Sequence, residues 1–180
     1  MSNQASAKRP VLTQALVREL FNYCPITGNL TWRFPLSNRV TPGAPASSHS
    51  GKYLRVNIGG RNYKQHRVIF LYHHGWMPSY IDHINHDKND NRIGNLRPAT
   101  VSENSINWVR DNPKVTSKYR GVWREKGGLW VACAYKNGKR VFRKRFNSEL
   151  KAAAAYNRVA KEFHGEFAVL NEGVGEASHV

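Results

Sequence analysis

The stretch from Tyr80 to Asn104, YIDHINHDKNDNRIGNLRPATVSEN, gathers the residues of this chain whose types and spacing suit chemistry. Asp82 and His83 stand side by side, Asn95 follows across a polar loop, and Asn104 lies just beyond Thr100-Val-Ser-Glu103. A carboxylate and an amide oxygen are hard donors of the kind that Mg²⁺ or Mn²⁺ takes, with water and phosphate in the other positions. A neutral histidine beside them can accept a proton from an attacking water. Its second ring nitrogen then needs an acceptor to fix the tautomer, and an asparagine carbonyl can serve. Such a set suits phosphodiester hydrolysis, where a metal neutralises charge on the phosphate and on the departing 3′ oxygen.

These residues need elements to position them. Tyr80–Ile84 reads as a strand with Asp82 and His83 at its end, and Asn95-Leu96-Arg97 as a second short strand. Thr100 and Glu103 have the spacing of a capping box, so a helix is expected from residue 101 with Asn104 in its first turn. Strand, loop, strand and helix would bring Asp82, His83, Asn95 and Asn104 within reach of one another. Plainer readings stand beside this one. Asp82-His83 alone is equally a surface ion pair, and Asn89 and Asn91 read as turn formers. His86, three residues after His83, has a spacing that suggests zinc, but strand or loop geometry argues against it. His66 reads as scaffold support, and His73 and His74 as wet-rim or phosphate-facing groups.

Composition bounds the rest. The chain has 180 residues and a mass of 20.5 kDa, enough for one or two small domains. Lys and Arg number 28 against 12 Asp and Glu, a net charge of +16 with a pI near 10.3. Hydrophobic residues make up 40%, so the chain folds despite its charge, and its expected partner is a polyanion, by default nucleic acid. The two cysteines, Cys24 and Cys133, exclude a disulfide framework and a multi-cysteine zinc site, and read as ordinary buried thiols in a reducing compartment. No run of apolar residues is long enough to span a membrane and the first ten residues lack a secretory pattern, so the expectation is a soluble, cytoplasmic protein without a membrane partner.

The division expected from the sequence is a tail at 1–10, a domain at 11–110, a linker at 111–118, a second domain at 119–171 and a tail at 172–180. In the first domain, Val11–Phe21 suits an amphipathic helix, residues 35–51 a loop, Tyr53–Ile58 and Arg61–Gln65 a hairpin turning at Gly59-Gly60, and His66–His74 a short apolar segment. In the second, Tyr119–Arg124, Leu129–Lys136 and Lys139–Phe146 read as strands, with Asn137-Gly138 a type I′ turn. Ser148 can cap a helix over about 149–163 that sets Ala152, Tyr156, Val159 and Phe163 on one face. Residues 1–112 hold 14 basic and 6 acidic residues, and residues 113–171 hold 14 and 4, so the second part is the more concentrated basic body.

With these residues in view, the first part resembles the HNH nuclease family, in its phage and intron homing-endonuclease branch. The matching words are Asp82-His83, the loop ending Asp90-Asn91-Arg92, Asn95-Leu96-Arg97 and Asn104, joined by Tyr23, Thr27-Gly28, the hairpin and His66-Arg67. The resemblance covers roughly residues 12–109. It implies a ββα-metal fold, a Mg²⁺ or Mn²⁺ cofactor, His83 as general base, Asp82 and Asn104 as metal ligands, and Asn95 as the residue that holds His83.

Residues 117–171 are similar to the plant Apetala and ethylene-response-factor type DNA-binding domain. The likeness rests on Tyr119-Arg-Gly-Val122, Leu129-Trp-Val-Ala132, Phe146 with Ser148-Glu149, Ala152–Tyr156 and Phe163-His-Gly165 with Asn171. It implies a three-stranded antiparallel sheet laid in the major groove with a helix behind it, and assigns DNA contact to Arg120 and an aromatic position to Trp130. Trp123 and Glu125 stand where the plant domains carry base-reading arginines, so the plant sequence preference does not transfer. Charge and strand position add Arg124, Arg143 and Arg145 as DNA-binding candidates.

The chain therefore reads as an α+β protein in which a ββα-metal nuclease domain precedes a small sheet-and-helix DNA-binding domain. The expected function is a site-specific, metal-dependent endonuclease of homing type acting on double-stranded DNA, phage-encoded or carried by a mobile element, as a monomer or homodimer. The alternative is a non-catalytic DNA-binding regulator on the same scaffold; an RNA-directed role is a weaker third reading.

Overall fold

Local signals in the chain mark most of its elements. A computed structural model describes residues 11–35, 40–106 and 116–175. The expected tail at 1–10, residues 111–115 of the expected linker and residues 176–180 of the expected C-terminal tail lie outside the described residues. The chain divides between Ala99 and Thr100 into two compact units. It is a mixed α/β protein with several small antiparallel sheets and few helices. No helix among the described residues is long and apolar enough to cross a membrane.

In the first unit, Thr13 closes the start of α1 (Gln14–Leu20), its hydroxyl accepting from the Leu16 N–H at 3.2 Å. That cap sets the helix later than Val11, and the helix ends sooner than expected because Phe21 already belongs to β1 (Phe21–Cys24). This strand pairs antiparallel with β2 (Asn29–Trp32). A strand, β3 (Ser47–Ser50), lies inside the stretch expected to be loop. Its Ser-rich composition carries no strand signal; pairing with β4 (Tyr53–Ile58) satisfies its backbone.

β4 and β5 (Arg61–Lys64) form the expected hairpin, completing a sheet of order β3-β4-β5. Gly59 and Gly60 have φ of 57° and 77°, and the side-chain Oδ1 of Asn57 accepts from the Gly60 N–H at 3.1 Å. Next, α2 (Gln65–His74) ends at Gly75 in the left-handed region. β6 (Tyr80–His83) and β7 (Leu96–Ala99) then pair antiparallel around a long loop that ends in a 3-10 turn at Ile93–Asn95. Phe21, Leu30, Val56, Val68, Ile69, Phe70, Ile81 and Leu96 are among the buried residues that bind these pieces into one core.

The second unit begins with α3 (Val101–Ile106). Its capping box forms as the sequence predicts: the Thr100 N–H donates to Glu103 Oε2 at 2.7 Å and the Glu103 N–H to Thr100 Oγ1 at 3.2 Å. Beyond it β8 (Val122–Arg124), β9 (Trp130–Lys136) and β10 (Lys139–Phe146) make a sheet of order β10-β9-β8, backed by α4 (Glu149–His164). Asn137 and Gly138 both have positive φ, 52° and 74°, as the type I′ turn demands. Ser148 occupies the N-cap position of α4, but its side chain makes no capping bond. The first turn is tied down instead through Glu149, which accepts from the Ser117 hydroxyl at 2.7 Å.

The contact between α4 and its sheet is built largely of methyl groups. Ala132 and Ala134 of β9 meet Ala152, Ala153 and Ala160 of α4, joined by Val122, Tyr156 and Val159. Such small side chains let helix and sheet approach closely. At Gly121, with φ of +70°, an added Cβ would lie 2.3 Å from the Tyr156 ring and 2.8 Å from the Cys133 carbonyl oxygen. Gly121→Ala is therefore expected to destabilise the protein by about 2–4 kcal/mol in a urea melt, the joint cost of backbone strain and overpacking. A loss below about 0.5 kcal/mol would show that this packing yields easily.

Candidate active site

Antiparallel register decides what stands next to Asp82. It lies directly opposite Arg97, whose Nε and Nη2 donate to Asp82 Oδ2 at 2.9 and 2.8 Å. Both side chains are largely buried, and a buried carboxylate keeps its charge only against such a partner. His83, one residue on, is 5% exposed. Its ring meets His66 edge-on at 5.1 Å, and the Tyr53 ring lies 6.5 Å away.

The loop after β6 folds through its own amides and carboxylates. Asn85 Oδ1 accepts from the Asp87 N–H, and Asp87 Oδ1 from the Asn89 N–H, both at 2.9 Å. Asn85 and Asn95 join the two ends of the loop: the Asn85 N–H donates to Asn95 Oδ1 at 3.0 Å and Asn95 Nδ2 to Asn85 Oδ1 at 2.8 Å. Asn95 Nδ2 also donates to the Asp90 carbonyl at 2.8 Å. Arg92, hydrogen-bonded to the Asp90 side chain, holds that carboxyl down to about 2. His86 takes a positive φ of 64° here, its N–H bonded to the His83 carbonyl.

This closed loop delivers Asn91, 1% exposed, to the histidine: Asn91 Oδ1 lies 3.0 Å from His83 Nε2. With Nε2–H donating there, the lone pair of the neutral ring is on Nδ1. The amide against His83 is thus Asn91 and not Asn95, because the side chain of Asn95 is used up closing the loop. Asn91, which reads in the sequence as a turn former, carries the contact. Asn89 and Asn91 share type and loop, so nothing in their spacing singles out the second.

The β1–β2 hairpin stands behind this loop. At Gly28, φ +71°, a Cβ would lie 2.4 Å from the Arg92 nitrogen and 2.5 Å from the Asn91 carbonyl carbon. Gln65 Nε2 donates to the Gly28 carbonyl at 3.1 Å, and the Tyr23 hydroxyl accepts from the Ile93 N–H at 2.8 Å. Tyr23, Gly28, Gln65 and Arg97 have structural work in the site that the residue pattern alone does not assign to them.

The Asp82 carboxylate is a hard oxygen donor of the kind that suits Mg²⁺ or Mn²⁺ better than zinc, while the amide oxygens of Asn85, Asn91 and Asn95 are taken up in the loop's own hydrogen bonds. Among the described residues no group of three or more His, Cys, Asp or Glu is placed to hold a metal ion by itself. A cation here would need water and phosphate as further ligands. Asn104 lies in α3 of the second unit, its N–H donating to the Thr100 carbonyl at 3.0 Å.

The second unit's candidates separate onto different faces of its sheet. Val122 pairs with Ala132, and Arg124 with Trp130; Val122, Ala132 and Trp130 all pack toward α4. Arg124 and Trp130 thus share the helix-facing side, the guanidinium 5.7 Å from the indole centroid. A β-bulge between Arg140 and Phe142 shifts β10 by one residue. Arg143 and Arg145 consequently pair with Cys133 and Val131 on the open side, while Phe142 and Phe146 turn inward. On the open side both arginines bind the carboxylate of Glu125, Arg145 Nε at 2.7 Å. Arg120 bonds the Tyr156 side chain, and its backbone is held on both sides by the amide of Asn171.

Residues 63–106 match a protein family described as HNH endonuclease. The chain is 38% identical over 110 residues to an uncharacterized HNH endonuclease of Acanthamoeba polyphaga mimivirus, covering 59% of this chain and 56% of that protein. It is 33% identical over 110 residues to Protein 3.8 of Escherichia phage T7, covering 58% of this chain and 88% of the phage protein. It is also 36% identical over 82 residues to an AP2/ERF and B3 domain-containing transcription repressor of Arabidopsis thaliana, covering 44% of this chain and 22% of the plant protein. The chain thus spans about half the length of the mimivirus relative and a smaller part of the plant one. No solved structure matches it.

His66 supplies a test of the site's electrostatics. Burial, reinforced by the neighbouring His83, Lys64 and Arg67, lowers its pKa to about 3. The unfolded chain binds a proton at this residue near pH 6.5 while the folded chain does not, so stability is full above pH 6.5 and falls with pH below it. The expected contribution is about 1.4 kcal/mol per pH unit between pH 6 and 4. His66→Asn should reduce that slope in urea melts across the same range, and an unaltered slope would mean that His66 is protonated in the fold.

Proposed function

We propose that this chain, whose residues 63–106 match the HNH endonuclease family, is a site-specific, divalent-metal-dependent DNA endonuclease of homing type. The observation that carries the reading is the buried bond between His83 Nε2 and Asn91 Oδ1, which, with the oxygen accepting, leaves Nδ1 as the nitrogen able to take a proton. In this reading a water attacks phosphorus, His83 Nδ1 takes its proton, and the 3′ oxygen departs. Asn91 holds the histidine tautomer, and Asn95 acts one step further out by closing the loop. Asp82, oriented by Arg97, would hold the cation through its carboxylate, and the family pattern assigns Asn104 as the second protein ligand. The chemistry a divalent cation supplies when bound is charge neutralisation on the phosphate and on the departing oxygen. The chain order β6, β7, α3 supports a ββα-metal arrangement for this part, assigned to residues 11–110.

Residues 119–171 are proposed to hold the duplex as a DNA-binding domain of the plant type, joined by the linker at 111–118. The reading is supported by a three-stranded sheet on one helix, by its charge, and by partial similarity to a plant transcription repressor. Arg143 and Arg145 are its foremost contacts, with Arg120, Arg124 and Trp130 on the sheet's first turn and inner side. The likeness to a phage protein supports a phage or mobile-element setting. A second reading, a DNA-binding regulator that does not cut, is favoured by one observation: Asp82 already has a cationic partner in Arg97.

The deciding experiment incubates wild type, His83→Ala and Asn91→Ala with the DNA that flanks the gene, in Mg²⁺ and in chelator. Wild type should give discrete products only with Mg²⁺. His83→Ala should lose on the order of 10²–10⁴ in rate while still binding DNA, with Asn91→Ala between the two. Binding by wild type without product would favour the regulator. A separate test concerns Glu125: Glu125→Ala frees Arg143 and Arg145, so duplex affinity should rise and its salt dependence steepen. Unchanged binding would remove both arginines as contacts.

A further inference from the structure

Between Glu19 and Asp82 the chain contains no acidic residue. The β3-β4-β5 sheet lies wholly inside that interval, and its two faces differ in kind. One buries Val56 and Ile58 in the core. By the cross-strand register the other carries Ser48, Tyr53, Arg55, Asn57, Asn62 and Lys64. Asn57 and Asn62 bond each other at 3.0 Å.

This face is electrostatically unbalanced. Arg55 stands directly opposite Lys64, a like-charge pairing that weakens a sheet. Neither has an acidic partner among the described residues, and Arg55 Nε is buried with no hydrogen-bond partner. Lys64 Nζ lies 4.3 Å from the centroid of the Tyr53 ring, and Lys88 Nζ, from the loop after β6, lies 5.5 Å from the same centroid. That ring is 5.3 Å from His66 and 6.5 Å from His83. The Lys64 pKa is lowered by burial and then by the neighbouring charges of Arg67, Arg55 and Lys88, all positive. A cluster of cations that repel one another beside a candidate general base is relieved by an anion, and a phosphate chain supplies anions at regular spacing.

We propose that this polar sheet face is a second duplex-DNA binding surface, on which Lys64, Lys88 and Arg55 receive backbone phosphates flanking the phosphate presented to His83. It rests on the nuclease reading for the phosphate at His83, but not for the binding itself. The surface belongs to the first unit alone and is distinct from the arginines of β10. Its lysines contact phosphate and set register without reading sequence. The β4-β5 hairpin of this face is a two-stranded ribbon of a width that a DNA major groove admits, which favours DNA over an RNA duplex, whose deep groove excludes it.

The test measures binding of the full chain to a fluorescein-labelled DNA duplex in chelator, over a series of salt concentrations. Each lost phosphate contact removes about 0.9 from the slope of log affinity against log salt. Lys64→Ala/Lys88→Ala should lower that slope by about 2, with affinity at low salt falling at least tenfold. Lys64→Arg/Lys88→Arg, which keeps the charge, should retain the wild-type slope. A wild-type slope in the alanine pair, with unchanged circular dichroism, would overturn the proposal, as would tighter binding of an RNA duplex of the same length. Cleavage in Mg²⁺ by the same preparations separates the two readings. Product from wild type with no slope change in the alanine pair removes the surface and keeps the nuclease. A slope change without product from any preparation does the reverse.

Discussion

An imidazole has one usable lone pair, and its position depends on what the other nitrogen touches. Here that contact is a single amide oxygen, Asn91 Oδ1, inside a loop that has no regular structure before its final 3-10 turn. The loop keeps its shape because Asn85 and Asn95 bond each other across its ends and Asp87 and Asp90 turn the backbone between them. From behind it is braced by Gly28, where no side chain fits, and by Tyr23 and Gln65. Elements as distant in the chain as β1 and the start of α2 thus converge on holding one imidazole ring in place.

The charges around that ring are sorted by burial. The buried carboxylate of Asp82 is met by Arg97, directly across the hairpin, so neither charge is stranded. His66 is kept neutral by the same burial. On the β3-β4-β5 face, by contrast, the exposed Lys64 and the partly buried Arg55 stand opposite each other without an acidic partner among the described residues. A matched buried pair, Asp82 and Arg97, thus lies in the same unit as a sheet face where positive charge is left over.

Much of this was legible from local pattern. The Gly59-Gly60 and Asn137-Gly138 turns, the Thr100–Glu103 capping box and the Asp82-His83 strand end all depend on residues a few positions apart, and all formed. β3 escaped because its serines have no strand preference of their own; its partner makes it a strand. The exchange of Asn95 for Asn91 escaped because amides in one loop differ only in where the backbone aims them. The faces of the second sheet show the same limit more sharply. A regular hairpin from Asn137-Gly138 would carry Arg143 and Arg145 toward the helix, and one extra residue near Arg140 turns both outward. No periodicity in KRVFRKRF announces that bulge.

The methyl-lined contact between α4 and its sheet has an evolutionary consequence. Alanine has no rotamers to lose or rearrange, so this interior records almost nothing of what happens on the far side of the strands. Outward residues such as Trp123, Glu125, Arg143 and Arg145 can therefore be exchanged without repacking the backing helix. A face that varies independently of the fold beneath it can change what it contacts at little cost in stability.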